Sequence, residues 1–292
     1  MKILIIGASG LVGGNIFNYL VKYTNWEITG TYNKFLVSPF IFLDASEINK
    51  WPEIITKTDW DVIIHTGALT HVDKCEEESE LSEFLTVKST ENLCKLATDK
   101  GSKFIYISSD YVFDGLNGPY SENDIPNPLC VYGRQKLEAE NLVKSSLSNY
   151  LILRITNVYG NEVRNKNFLS RTIMQIKSNT KFEITAPYDQ YATPVNAVDI
   201  AKSILLLIND SKNGIYHIAS TDFLNRVQFL QKINSYFGNK LIINPIKTNN
   251  LNQSAKRPLM GGLLSRKFLN EYPDFEFSNI DDYLRNNIDF NV

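Results

Sequence analysis

Short apolar runs alternate with amphipathic stretches along the first half of the chain. The segments that favour β-strands, most of them apolar, lie at residues 2–6, 27–31, 40–43, 61–64, 103–108 and 150–155. The stretches with a helical spacing of apolar residues lie at 11–23, 46–56, 80–100 and 131–146. The strands are apolar on both faces, so helices must cover both sides of the sheet. This alternation predicts an α/β fold with a doubly wound, parallel Rossmann sheet.

After residue 156 the pattern becomes looser, and five prolines divide the chain into shorter pieces. The remaining periodicity predicts helices at 168–178, 197–209, 227–237 and 280–287, and a strand at 214–219.

Two local features mark helix ends in the first half. Ser46 is a preferred N-cap for the helix 46–56, which Pro52 disturbs, and Gly101 ends the helix 80–100. We expect a domain over residues 1–156 and a smaller, mixed α/β lobe over 157–292 that is partly interleaved with it.

Composition and charge exclude several classes of protein. The net charge of −2 over 292 residues predicts no binding to nucleic acid or to an anionic membrane surface. No apolar run approaches the roughly 18 residues that span a bilayer. The three cysteines are widely spaced and odd in number, which indicates free thiols in a reducing cytoplasm. The three histidines form no cluster with them, so we expect no metal site.

Three glycines at a fixed spacing lie directly between the first predicted strand and the first predicted helix. Gly7, Gly10 and Gly13 spell GxxGxxG in this strand–turn–helix setting, which is typical of a dinucleotide-binding turn. The first permits the tight turn, the second lets the backbone approach a pyrophosphate, and the third lets the helix pack on the strand. The free N–H groups at the start of the helix face the phosphates. We expect cofactor contacts from Gly7, Ser9, Gly10, Leu11, Val12 and Gly13.

The end of the second strand indicates which dinucleotide is bound. NAD-specific sites place Asp or Glu there to bind the ribose 2′-hydroxyl, whereas this chain has Asn33 and Lys34. A cation would attract a 2′-phosphate, so the sequence favours NADPH, with NADH and a merely solvated Lys34 as the alternatives. Asp44 either accepts a hydrogen bond from the adenine amino group or is a turn residue. Gly67 and Ala68 follow the fourth strand, at the sheet edge where ligands bind. Residues 1–156 therefore form the predicted NAD(P)-binding domain.

Tyr132 and Lys136 lie four residues apart on the predicted helix 131–146, so their side chains share one face. A free tyrosine has a pKa of about 10. A nearby ammonium lowers that pKa toward the neutral range, where the phenol can act as an acid or a base. Lys136 can also bind the nicotinamide ribose. This pair therefore predicts redox chemistry on a carbonyl or hydroxyl group.

The YxxxK pattern is weak on its own, because Tyr236 and Lys240 also match it across a turn at 237–239. Ser109 distinguishes the first pair. It ends the fifth strand, where its hydroxyl can hold a substrate carbonyl or alkoxide. We interpret Ser109, Tyr132 and Lys136 as the catalytic residues.

Eight motifs in order give the sequence a specific resemblance. They are GASGLVGG at 7–14, LTHVDKCEEE at 69–78, ISSDYVFDG at 107–115, PLCVYGRQKLEAE at 128–140, LRITNVYG at 153–160, DQYATP at 189–194, GIYHIAS at 214–220 and KRPLMGGLL at 256–264. With them the chain resembles the extended short-chain dehydrogenases/reductases, and among these the dTDP-4-dehydrorhamnose reductases. The resemblance implies NADPH-dependent reduction of a nucleotide-linked 4-keto-6-deoxy sugar, and a homodimer is compatible with it.

The resemblance also implies roles for single residues. Tyr132 would be the proton donor, Asp110, Tyr111 and Asn157 would lie beside the sugar, and Arg257 would face the pyrophosphate of the substrate. Arg257 could equally be an ordinary surface arginine. The chain departs from the family at four positions. It has Ser109 where the family usually has Thr, Asn157 where many members have Trp, Thr86 in place of Asn, and Gly261 in place of Ser.

Two alternatives remain open at this point. One is a nucleotide-sugar epimerase or dehydratase of the same superfamily, although Tyr111 stands where dehydratases typically have Glu. The other is a regulatory subunit without catalysis, since the methionine adenosyltransferase β subunits are similar to the same reductases.

Overall fold

The computed structural model describes residues 1–178 and 181–287. Its main feature is a parallel sheet, flanked by two small sheets. The strands are β1 Lys2–Ile6, β2 Glu27–Tyr32, β3 Ile41–Phe42, β4 Val62–His65, β5 Lys103–Ser109, β6 Tyr150–Ile155, β7 Phe182–Pro187, β8 Tyr191–Ala192, β9 Gly214–Ile218, β10 Leu224–Asn225 and β11 Leu241–Ile246.

Seven of these strands form the main sheet in the order β3-β2-β1-β4-β5-β6-β9, and all neighbouring pairs are parallel. This confirms the doubly wound Rossmann sheet. The strand order reverses between β1 and β4, and ligands bind outside the carboxyl ends of the strands at such a point. The turns after β1 and β4, which carry Gly7 and Gly67, meet there.

Helices cover both faces of the sheet. They are α1 Leu11–Tyr23, α2 Glu53–Lys57, α3 Val72–Glu77, α4 Ser79–Glu83, α5 Ser89–Lys100, α6 Val131–Ser146, α7 Phe168–Ser178, α8 Ala197–Asn209, α9 Arg226–Tyr236, α10 Arg266–Glu271 and α11 Ile280–Asn287. The apolar core on one face includes side chains of α1 and α8, and the core on the other includes those of α5 and α6. The central strands β1, β4, β5 and β6 are therefore buried from both sides, as their sequences predict, whereas the outer strands β2 and β3 are partly exposed.

The predicted helix at 46–56 is wrong. The structure has a short 3-10 turn at Ile48–Lys50 and a separate helix, α2, that begins after Pro52. Ser46 caps no helix, because its backbone N–H and its hydroxyl both donate to Asp44 Oδ1. The stretch 80–100 is helical as predicted, but it contains a π-helical segment, Phe84–Lys88, between α4 and α5. Gly101 ends it with a φ of 66°.

The second half of the chain contributes to two regions. β9 completes the Rossmann sheet, and α8 packs on one face of it. A separate apolar cluster joins α7, α9 and α11 with the parallel pair β7 and β11. β8 and β10 form a second small sheet, which is antiparallel. These elements make the smaller mixed α/β part of the fold. The division at residue 156 stays a prediction.

Among the described residues, no helix is long and apolar enough to cross a bilayer. Cys75, Cys94 and Cys130 are buried and free. The cytoplasmic location and the homodimer stay predictions.

Candidate active site

The glycine-rich turn after β1 has the geometry that its sequence predicts. Gly7 has a φ of 82°, a left-handed conformation that residues with a side chain rarely adopt. Its N–H donates to Thr31 Oγ1 at 3.2 Å, and its carbonyl accepts from the N–H of Gly10 at 3.0 Å. The turn is therefore closed by its own backbone and braced by β2.

The first helix packs against this turn at backbone contact distance. A Cβ built on Gly13 would lie 2.4 Å from Gly7 O and 2.8 Å from Thr66 Oγ1, which leaves no room for any other residue. Gly10 is the N-cap of α1 and has no side chain to cap it, and no acidic residue lies in the first turn. The N-terminal N–H groups of the helix therefore face the cavity as anion donors.

A cavity of about 630 Å³ runs along the carboxyl edge of the sheet. Its volume lies within the range of about 300–1,000 Å³ that is usual for cofactor sites. The structure brings together here all of the predicted cofactor and catalytic residues and most of the predicted substrate residues. They are Gly7, Ser9, Gly10, Leu11, Val12, Gly13, Asn33, Lys34, Asp44, Gly67, Ala68, Ser109, Asp110, Tyr111, Tyr132, Lys136 and Asn157.

At the β2 end of this cavity, Lys34 is exposed and lies beside Phe35. Asp44 also lines the cavity, but its Oδ1 accepts the two hydrogen bonds from Ser46. The structure therefore shows Asp44 as a turn residue. Its Oδ2 accepts no hydrogen bond from the described residues, so this oxygen is free to accept one from the adenine amino group.

At the other end, Tyr132 projects from the first turn of α6, next to Tyr111, with the two ring centroids 5.5 Å apart. Burial raises the pKa of Tyr132 well above its usual value, an effect that the Ser109 hydroxyl opposes. The expected lowering of this pKa by Lys136 is not found in this structure, because desolvation is the largest cause and the nearby Asp110 and Tyr111 raise the pKa further. A phenol in this state keeps its proton at neutral pH.

Lys136 is buried one helical turn further along α6. Its ammonium donates to Ile107 O at 2.6 Å and lies 4.2 Å from the centroid of the Tyr106 ring. Burial lowers the pKa of Lys136 to about 7, while the carboxylate of Glu140 acts in the opposite direction. Glu140 itself is held by Arg154, at 2.7 Å. Lys136 is therefore poised to change protonation near neutral pH.

Ser109 ends β5 and begins a 3-10 turn, Asp110–Val112. Its hydroxyl lies 3.2 Å from Asp110 Oδ1 and accepts from Tyr111 N at 3.3 Å. Thr156, from the end of β6, donates to Asp110 Oδ2 at 2.7 Å. Burial raises the pKa of Asp110, and these hydrogen bonds oppose the shift. The bonds fix the floor of the cavity beside Tyr132.

Arg257 is the one predicted site residue that lies outside this cavity. It lines a second cavity of about 360 Å³, and its guanidinium pairs with Asp73 at 2.6 Å and donates to Ala255 O. The two cavities meet, since Tyr111 and Arg226 line both. Arg257 is thus a partly buried, paired residue of the adjoining cavity rather than an ordinary surface arginine.

Sequence patterns missed three arginines that line these cavities. Arg164 lines the first cavity, Arg171 lines the second, and Arg226 lines both. Arg226 Nη2 donates to Asn157 Oδ1 at 2.8 Å, and Asn157 adopts a φ of 40° directly after β6. No local motif marks these positions, because only the folded chain brings them to the sheet edge.

The chain is similar to known proteins along most of its length. Residues 1–279 match the family model described as RmlD substrate binding domain. A dTDP-4-dehydrorhamnose reductase of Aggregatibacter actinomycetemcomitans is 31% identical over 88% of this chain and 88% of its own length. The methionine adenosyltransferase 2 subunit beta of Bos taurus is 32% identical over 78% of this chain and 69% of its own length.

A solved structure gives the same result for the fold. The crystal structure of dTDP-4-dehydrorhamnose reductase from Bacillus anthracis str. Ames in complex with NADP has a TM-score of 0.86 at 27% identity. The match covers 98% of this chain and 97% of that one. Because the family model and the structural match both extend across the Rossmann sheet and the smaller region, the chain belongs to the RmlD substrate binding domain family.

Proposed function

We propose that this protein is an NADPH-dependent reductase of a nucleotide-linked 4-keto-6-deoxy sugar. The observation that carries the proposal is the convergence of the glycine-rich turn with Ser109, Tyr132 and Lys136 on one cavity. Relatives named as reductases, one of them solved with NADP, support it. The region before residue 157 would hold the cofactor, and the lobe after it would hold most of the sugar nucleotide.

The cofactor cavity fits a nicotinamide dinucleotide phosphate in shape and charge. The uncapped start of α1 offers N–H donors to a pyrophosphate, and Gly10, which has no side chain, lets the phosphates approach the backbone. Lys34 supplies a cation for a 2′-phosphate where an NAD site would have a carboxylate. NADH remains the alternative cofactor.

NADPH, when bound, would supply a hydride to the carbonyl carbon of the sugar. Tyr132 would donate its phenolic proton to the carbonyl oxygen, and burial keeps that proton in place at neutral pH. Ser109 would hydrogen-bond the same oxygen and stabilise the negative charge that develops on it. Lys136 in its protonated form would stabilise the phenolate that Tyr132 becomes.

The second cavity would bind the nucleotide part of the substrate. Arg171, Arg226 and Arg257 line it, and guanidinium groups match the geometry of phosphate oxygens. Asp73 already neutralises Arg257, so Arg171 and Arg226 would supply more of the charge that a diphosphate needs. Arg226, together with Asn157 and Tyr111, would then lie next to the sugar where the two cavities meet.

The direct test is to incubate the purified protein with NADPH and dTDP-4-keto-6-deoxyglucose, with and without 3,5-epimerisation, and to follow the nicotinamide absorbance. Oxidation of NADPH supports the proposal, and the preferred form identifies the sugar. No oxidation with either sugar, or with the corresponding UDP, GDP and CDP sugars, would refute it.

The role of Tyr132 has a matched control in the second YxxxK pair. Tyr132→Phe removes only the hydroxyl and should lower turnover by about 10²–10⁴-fold, because general acid catalysis contributes that much. Tyr236→Phe should leave turnover unchanged, since Tyr236 lies outside both cavities and contacts Arg285. Turnover of Tyr132→Phe within about twofold of wild type would contradict the assignment of the proton donor.

A second candidate function follows from the similarity to methionine adenosyltransferase 2 subunit beta. In that case the protein would bind NADPH, would not turn over any nucleotide sugar, and would co-purify with a catalytic partner. The absorbance assay separates the two candidates, because only a reductase consumes NADPH.

A further inference from the structure

Arg164 lies on the loop 161–167, between β6 and α7, yet its guanidinium reaches the glycine-rich turn after β1. A Cβ built on Gly10 would lie 3.8 Å from Arg164 Nη2, and Arg164 lines the same cavity as that turn. The side chain therefore places a permanent positive charge beside the N-terminus of α1. This position lies 154 residues along the chain from Gly10, so no local motif indicates it.

The loop is held against the first domain at its start and closed on itself at its end. Asn15, on the second turn of α1, donates from Nδ2 to Asn161 O at 2.8 Å. Asn167 donates from Nδ2 to Gly160 O at 2.9 Å, and its N–H donates to the carboxylate of Glu162. The position of Arg164 over the turn thus follows from backbone anchors on both of its sides.

The guanidinium has unused hydrogen-bonding capacity. Within the described residues, Arg164 Nε is buried and has no hydrogen-bond partner. Nη2 lies 3.7 Å from Glu162 Oε2, which is longer than the roughly 2.7–2.9 Å of a charge-assisted hydrogen bond. The guanidinium carbon lies 5.8 Å from the centroid of the Phe35 ring. A cation with free donors at this place is suited to bind an anion in the cavity.

We propose that Arg164 binds the pyrophosphate of the dinucleotide together with the N–H groups at the start of α1. The inference rests on the dinucleotide site of the proposed function and does not depend on the sugar substrate. It assigns different phosphates to two cations. Lys34, at the end of β2, would meet the 2′-phosphate that only NADPH carries, whereas Arg164 would meet the pyrophosphate that NADPH and NADH share.

The test is the affinity of the purified protein for NADPH and for NADH, measured without sugar by the change in nicotinamide fluorescence. Arg164→Ala should weaken both by a similar factor of about 10–100, the effect of losing charge-assisted hydrogen bonds. Lys34→Ala should weaken NADPH only. Lys166→Ala removes an exposed cation from the same loop and should change neither affinity. Thermal unfolding of each variant checks that it is folded.

Affinities of Arg164→Ala within about twofold of wild type for both dinucleotides would overturn the proposal. A loss confined to NADPH would also overturn it, because it would assign Arg164 to the 2′-phosphate. If the wild-type protein bound neither dinucleotide, the proposed function would fail as well. That outcome differs from failure of the Arg164 proposal alone, in which wild type and variant bind equally.

Discussion

Gly13→Ala should disturb the cofactor site more than the substitution of its neighbour, Gly14→Ala, does. The new Cβ would lie 2.4 Å from Gly7 O, whereas real Cβ atoms essentially never approach closer than 3.0 Å. Helix α1 or the turn at Gly7 must therefore move by more than about half an ångström. Overpacking of this kind costs about 1–3 kcal/mol, and the better helix propensity of Ala offsets about 1 kcal/mol of it.

The net loss of stability should be about 0–2 kcal/mol, but the loss of NADPH affinity should be larger. The displaced backbone donors serve a charged pyrophosphate, and one such hydrogen bond contributes about 1.5–3 kcal/mol. We expect at least about 10-fold weaker binding in fluorescence titration, since 1.4 kcal/mol corresponds to tenfold. Urea unfolding measures the stability of the same sample.

Gly14→Ala is the matched control, because its Cβ would lie 3.1 Å from Ala8 O and needs a shift of only a few tenths of an ångström. It should keep the NADPH affinity of wild type and equal or slightly exceed its stability. Equal losses of affinity in Gly13→Ala and Gly14→Ala, or no loss in Gly13→Ala, would refute the reasoning from the Gly7 contact.

Two further predictions concern the buried charges behind the active site. Glu140→Ala leaves Arg154 buried without its carboxylate and should lower the free energy of unfolding in urea by about 3–5 kcal/mol. Glu91→Ala, which breaks partly exposed ion pairs, should lower it by under about 1 kcal/mol, and comparable effects of the two substitutions would contradict the prediction. The pKa of Lys136 is lowered from 10.5 to about 7, so between these pH values the unfolded chain binds more protons than the folded one. The stability of wild type relative to Lys136→Met should therefore rise with pH across this window, and a constant difference would exclude the shifted pKa.

The sequence predicted the Rossmann sheet well because its central strands, β1, β4, β5 and β6, are buried on both faces. Such strands appear as unbroken apolar runs, and the intervening helices carry one apolar side, so both periodicities are local. The helix at 46–56 was wrong for a local reason too. Asp44 captures Ser46 in a turn, and Pro52 separates the 3-10 turn from α2. Four strands of the second half were missed: β8 and β10, which have only two residues each, and the six-residue β7 and β11, which are only partly buried and each contain a proline.

The site residues divide into those that the sequence predicted and those that it missed. The glycine-rich turn and the pair Tyr132 and Lys136 depend on spacing within one element, and the structure brings all of them to one cavity. Arg164 and Arg226 reach this cavity from a loop and a helix end far along the chain. At such positions no local sequence pattern distinguishes a functional arginine from a solvated one. Their contribution depends on tertiary contacts, such as that of Asn15 with Asn161.

The pKa of Tyr132 shows why spacing alone gave the wrong sign. A lysine one turn away suggests a stabilised phenolate, but spacing says nothing about desolvation. Desolvation shifts the pKa values of the two side chains in opposite directions. Burial raises the pKa of the phenol and lowers that of the ammonium, so each group favours its neutral form. A neutral phenol is the form that donates a proton. Burial therefore leaves Tyr132 in the protonated form that the proposed reduction of a carbonyl requires.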